Sequence, residues 1–228
     1  MSTLVLIHSP LVGPMTWEAV ASELEIMGPK VIVVSLPDSR RLKPPYGPAF
    51  ATAVADSMSH LPASESVILV GHSNSGLRLA TYGQAATRKV DGYILVDSGI
   101  PGQSADPEAL AIARRQATKG QVPSWSDEVL RFEIASDLLR ATFGAQLPSA
   151  WPLALFEEEI QKVKGWPDAP CGYLELTDQY PDSVDYAYDQ DWALAEAPGT
   201  HFEMLNSPAT VAEALLDLLD QMEIDWEQ

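Results

Sequence analysis

The segment Val67-Ile68-Leu69-Val70-Gly71-His72-Ser73-Asn74-Ser75-Gly76 runs from an apolar, β-branched stretch into a serine flanked by small residues. Leu77, Leu79 and Ala80 follow at helical spacing. A serine on a tight turn between a buried strand and a helix has its hydroxyl held proud of the sheet, where it can attack a carbonyl. The next amide, Asn74 N–H, then faces the oxyanion that forms. The usual elbow reads Gly-x-Ser-x-Gly; here Ser75 takes the last place and Gly76 comes one residue later, and serine is small enough for the turn.

A serine hydroxyl needs a base. Of His8, His60, His72 and His201, only His201 comes late in the chain, in the turn Ala197-Pro198-Gly199-Thr200-His201-Phe202 after a last strand and before a terminal helix. His72 points away if Ser73 sits on the elbow, and His8 reads as a structural residue on the floor of the site. The acid should come from a strand end, where its carboxylate can hold the imidazole tautomer. Asp178, closing Leu174-Glu175-Leu176-Thr177-Asp178, is preferred; Asp97, closing Tyr93-Ile94-Leu95-Val96-Asp97, is its competitor.

These residues need a sheet to stand on. Short β-rich runs alternate with segments of helical period, which predicts an α/β fold with a mainly parallel sheet and helices on both faces. Strands are expected at Leu4 to Ile7, Val31 to Ser35, Val67 to Val70, Tyr93 to Val96, Gly172 to Leu176 and Trp192 to Ala195. Trp17, Val20, Leu24 and Met27 mark a first helix stopped by Gly28. Val211, Ala214, Leu215, Leu218 and Met222 mark a last one, with Ser207 expected as its cap and Pro208 in its first turn.

Between about residues 103 and 165 the rhythm breaks into helical segments with no convincing strand, too long for a connecting loop. That stretch holds Trp125, Phe132, Phe143 and Trp151 as well as Phe156, with Trp166 just beyond. It reads as a helical lid over one end of the sheet, with one or two of its aromatics against a substrate.

Composition sets the outer limits. The 228 residues predict one domain, 1–228, with a substantial core. Fourteen Lys and Arg against 32 Asp and Glu give a formal charge of −18, which argues against nucleic acid and anionic membrane surfaces as partners. No apolar run approaches the roughly 20 residues of a membrane span. The lone Cys171 permits no internal disulfide, and the start of the chain lacks the pattern of a secretory signal, so a cytoplasmic location is expected.

Together these residues resemble the α/β-hydrolase superfamily, in particular small esterases of the plant methylesterase and hydroxynitrile lyase type. Leu4-Val5-Leu6-Ile7-His8, Trp17, Val33-Val34-Ser35-Leu36-Pro37, the Ser73 elbow, Leu95-Val96-Asp97 and Pro198-Gly199-Thr200-His201-Phe202 follow in that group's order. The resemblance implies a Ser73 nucleophile, a His201 base and an aspartate, with no metal and no cofactor. It does not imply a substrate. One departure stands out: the residue two after His8, where that group supplies a second oxyanion N–H, is Pro10, which has none. Asn74 N–H then remains, with Leu11 N–H or the Ser9 hydroxyl as substitutes. Losing one donor costs about 3–4 kcal/mol of transition-state stabilisation. The expected activity is hydrolysis of an ester, thioester or lactone of a small apolar substrate through an acyl-enzyme. A non-hydrolytic reaction (elimination, cyclisation or carbon–carbon cleavage) in the same pocket is the alternative, and a non-catalytic binding module is a third.

Overall fold

The computed structural model describes residues 2–103 and 107–226. The chain begins β1 (Ser2–Ile7), α1 (Met15–Met27), β2 (Val31–Val33), α2 (Gly47–Ser57), β3 (Ser66–His72), α3 (Leu79–Ala85) and β4 (Val90–Val96). It continues through α4 (Pro107–Gln116), β5 (Gln121–Pro123), α5 (Asp127–Glu133), α6 (Asp137–Gln146), β6 (Ala150–Pro152) and α7 (Leu153–Phe156). It closes with β7 (Cys171–Glu175), α8 (Pro181–Asp189), β8 (Ala193–Glu196), α9 (Glu203–Asn206) and α10 (Pro208–Gln221).

Six strands form one sheet in the order β2-β1-β3-β4-β7-β8, and every pairing is parallel. All six expected strands are present, with ends shifted by at most three residues. Side chains alternate across the sheet. Leu4, Leu6, Ile68, Val70, Ile94 and Val96 pack with Trp17, Val20 and Leu24 of α1 and with Val211, Leu215 and Leu218 of α10. Val5, Ile7, Val67, Leu69, Tyr93 and Leu95 face the other way, onto Phe50 and Val54 of α2 and Leu79 and Tyr82 of α3. Burial on both faces is why the central strands read as unbroken apolar runs rather than alternating ones.

The helix limits follow the sequence with one correction. Gly28, at φ 127°, closes α1 by donating its N–H to the Leu24 carbonyl. Pro208 opens α10, but Ser207 stands before it with no capping bond from its side chain.

The stretch between β4 and β7 is also corrected. It is not strand-free: β5 and β6 form a two-stranded antiparallel sheet that sets Val122 opposite Trp151. Three-residue strands that end in Pro123 and Pro152 leave almost no β pattern to read. Residues 104–106, within the expected insertion, lie outside the described residues. A third apolar cluster, Leu130, Ile134 and Phe143 with Phe202 and Leu205, packs this stretch against the loop that carries His201.

Candidate active site

β3 lies between β1 and β4 in the sheet, and Ser73 is the first residue beyond its end. Its φ is 55°, a left-handed conformation that costs a serine about 1–3 kcal/mol and persists only where the surroundings enforce it. The surroundings do so. A Cβ on Gly71 would come 2.9 Å from both the Leu79 side chain and the Ser75 carbonyl, and one on Gly76 would overlap Ser98. Ser75 is fully buried, and its Oγ donates to the His8 carbonyl at 2.7 Å, tying the elbow to the end of β1. The small residue in the last place of the motif is thus also a hydrogen-bond donor. A 3-10 turn, Ser73–Arg78, separates the strand from α3, where the sequence suggested a helix at once.

His201 sits in the loop after β8, and its Nδ1 lies 2.6 Å from Asp97 Oδ2. Asp97 follows β4, the strand next to β3, and is fully buried at φ 43°. Its Oδ1 accepts the Leu176 N–H at 3.3 Å and the Thr177 N–H at 3.0 Å, and the Thr177 hydroxyl lies 2.9 Å from Oδ2. These donors fix the orientation of the carboxylate. With Nδ1 committed to Asp97, the imidazole carries its proton there and Nε2 keeps the lone pair that can accept a proton.

Asp178 does not take that place. β7 ends at Glu175, and the chain spends the next two residues wrapping Thr177 around Asp97; Asp178 beyond it is exposed. It lines, together with His201, Glu133, Glu175 and Glu196, a cavity of about 480 Å³. The carboxylate that His201 meets is therefore Asp97, at the end of the earlier strand, and not the preferred Asp178.

His72 and His8 are structural. The His72 Nε2–H donates to the His201 carbonyl at 2.9 Å, and the two rings lie 4.5 Å apart. Burial, and then the nearby His201, holds the His72 ring well below the usual imidazole range, so it stays neutral. His8 donates from Nδ1 to the Ser9 carbonyl at 2.8 Å, and its Nε2 accepts the Leu36 N–H at 3.2 Å. That tautomer is neutral, and burial pushes its pKa down to about 4.

Glu133 escapes the sequence reading altogether. It ends α5, and its carbonyl accepts the Thr200 hydroxyl and the Asn206 amide, each at 2.8 Å, which fixes the His201 loop from outside. Burial pushes its carboxyl up, against the opposing pull of His201. No motif marks such a residue, since the partners of its carbonyl lie 67 and 73 residues further along the chain.

Leu11 N–H lies 3.4 Å from Ser9 Oγ, a long and weak bond, and Val12 N–H donates to the Ser9 carbonyl at 3.0 Å. The Leu11 amide, expected as the substitute donor, is therefore engaged within its own loop. Of the aromatics between β4 and β7, Phe143 and Trp151 are buried and Phe132 is exposed. Trp125 and Phe143 each lie 5.2 Å from Phe202, directly after His201, so this cluster packs the base as much as it lines any space.

The sequence profile of the alpha/beta hydrolase family matches residues 4–214. The chain is 24% identical to methylesterase 8 of Arabidopsis thaliana over 247 residues, which covers 95% of this chain and 89% of that one. An extracellular alpha/beta-hydrolase from a Paenibacillus species superposes with a TM-score of 0.76 at 20% identity, covering 96% of this chain and 99% of that one. Tomato methylketone synthase I superposes with a TM-score of 0.74 at 16% identity, covering 97% and 99%.

Proposed function

The chain is an enzyme of the alpha/beta hydrolase family, and we propose that it cleaves carboxylic esters, thioesters or lactones of a small, largely apolar substrate through an acyl-enzyme on Ser73. The 2.6 Å contact between His201 Nδ1 and Asp97, together with a serine held at φ 55° after the neighbouring strand, carries this reading. Ser73 Oγ attacks the carbonyl carbon while His201 Nε2 takes the hydroxyl proton. The tetrahedral oxyanion meets Asn74 N–H. His201 then gives its proton to the leaving alcohol or thiol, and water deacylates the serine by the same exchange. The relationship to a plant methylesterase supports ester cleavage in general.

A second reading, a non-hydrolytic reaction in the same pocket, is favoured by Pro10, which has no N–H, and by the contact of the Leu11 amide with Ser9 Oγ. That a similarly folded protein is named a synthase is consistent with it.

Incubation with a fluorophosphonate, followed by mass spectrometry, tests the main reading without knowledge of the substrate. One adduct is expected, on Ser73, lost in Ser73→Ala. An adduct on another serine, or none between pH 6 and 9 on folded protein, sinks it.

A further inference from the structure

Arg78 closes the 3-10 turn that begins at Ser73, one helical turn beyond Asn74, and is almost wholly buried. Its Nε donates to Asn74 Oδ1 at 2.9 Å, and its Nη1 lies 2.9 Å from Glu158 Oε2. Glu158 belongs to the stretch between β4 and β7, and its side chain is only 10% exposed. Its other oxygen accepts the Tyr46 N–H at 2.5 Å and the Gly47 N–H at 3.0 Å, the open amides at the start of α2. The Phe50 ring covers the guanidinium, 5.6 Å from Cζ. Nothing in the reaction of Ser73, His201 and Asp97 uses these groups, yet a buried ion pair has a desolvation cost that apolar side chains of the same volume would avoid.

The arrangement has a particular consequence for the elbow. Asn74 follows the strained serine, and its backbone N–H is the amide assigned to the oxyanion. Its side chain is gripped by a guanidinium that Glu158 grips in turn. A planar fork can hydrogen-bond Asn74 through Nε while Nη1 keeps its charge beside the Glu158 carboxylate, a two-sided geometry that a compact ammonium lacks. We infer that Arg78 and Glu158 are positioning residues that fix the Ser73–Asn74 peptide, so that the oxyanion amide is aimed only while the stretch between β4 and β7 is docked on the elbow. This rests on the hydrolase reading of Ser73.

The test compares wild type with Glu158→Gln, Arg78→Lys and Asn74→Ala on p-nitrophenyl acetate, with rates divided by the Ser73 sites that a fluorophosphonate titrates. Glu158→Gln keeps a carbonyl for the Tyr46 and Gly47 amides, so the fold has a means to survive. Complete loss of an oxyanion donor lowers kcat by about 10²–10³, and a misaimed donor should lower it by about tenfold. KM should stay within about twofold, because the lost interaction belongs to the transition state. Arg78→Lys placed on Asn74→Ala should add little, since both cut the same link. Variants that melt earlier but keep their kcat per titrated site overturn the inference, and so does a raised KM at constant kcat.

If wild type itself takes no fluorophosphonate, the hydrolase reading has failed, and the clamp is judged by a crystal structure of Glu158→Gln. Residue 73 released from φ near 55° upholds the clamp there, and an unmoved elbow overturns it.

Discussion

Asp97 Oδ2 lies 2.6 Å from His201 Nδ1 across a sequence separation of 104 residues. Because that carboxylate alone fixes which ring nitrogen carries the proton, Asp97→Asn should leave the imidazole in the wrong tautomer and cut kcat by about 10⁴. Asp178→Asn, altering an exposed side chain, should change kcat by less than about twofold. Esterase assays on both variants, with circular dichroism to check folding, decide it. The reverse pattern would return the acid to the later strand.

Thr177 extends the same argument. Its hydroxyl lies 2.9 Å from Asp97 Oδ2, and its amide donates to Oδ1. Thr177→Val removes only the hydroxyl. It should lower kcat about tenfold with a small change in KM, since a carboxylate short of a donor holds the imidazolium less well. A kcat equal to wild type would mean that the amides suffice.

What the sequence disclosed and what it hid have a common physical basis. The elbow was legible because strand, tight turn and helix are local, each with its own periodicity and its own need for small residues at Gly71 and Gly76. His201 was legible by its place between a strand and a terminal helix. The aspartate was not, because Asp97 and Asp178 both follow strand-like runs, and the choice depends on Thr177 turning back toward β4, which spacing does not encode. Glu133, Arg78 and Glu158 were invisible for a similar reason. Arg78 meets Asn74 one turn away, but the contact that ties it to Glu158 and the partners of Glu133 and Glu158 lie far away in sequence, with Glu158 reaching Tyr46 across 112 residues.

His8 makes acid stability predictable. Its folded pKa is about 4 against 6.5 for the free side chain, so between those values the unfolded chain binds the extra proton. Stability is then complete above about pH 6.5 and falls as the pH drops toward 4, by about 3 kcal/mol for this one group. His72, also held neutral by burial, adds in the same sense, while Glu133 and Glu175, with raised carboxyls, act in the opposite one. Urea unfolding from pH 4 to 7 should show stability rising with pH. His8→Gln should be less stable at neutrality and have a shallower slope by about one proton, or about 1.4 kcal/mol per pH unit. An unchanged slope would show that His8 titrates normally.

The aromatic packing around Phe202 predicts the size of the acyl group. Trp125, Phe143 and Phe202 are in edge or tilted contact beside the base, and Trp125 also meets Trp151 at 5.2 Å, so little length is available there without displacing rings. Across p-nitrophenyl esters from acetate to decanoate, kcat/KM should fall with chain length. A maximum at long chains, or a preference for charged acids, would contradict this.

Pro10 offers the sharpest test of what kind of reaction the site supports. A tetrahedral oxyanion is stabilised by donors fixed in advance, and a proline nitrogen supplies none. An activated leaving group lowers the barrier enough to tolerate one missing donor, whereas an unactivated amide does not. Pro10→Ala restores an N–H on a loop that His8, with Ser75 on its carbonyl, holds to the elbow, so its turnover on an activated ester should rise. Removal of one established donor lowers kcat by about 10²–10³, which bounds the gain from adding one. Ser9→Ala separates the two substitutes. It frees Leu11 N–H from the 3.4 Å bond to Ser9 Oγ, so turnover should hold or rise if Leu11 serves as the donor, and should fall if the Ser9 hydroxyl does. Pro10→Ala with no gain, alongside Ser9→Ala with a large loss, would mean that a side-chain hydroxyl already completes the hole. Hydrolysis would then need no further donor, and the non-hydrolytic reading would lose the observation that favours it.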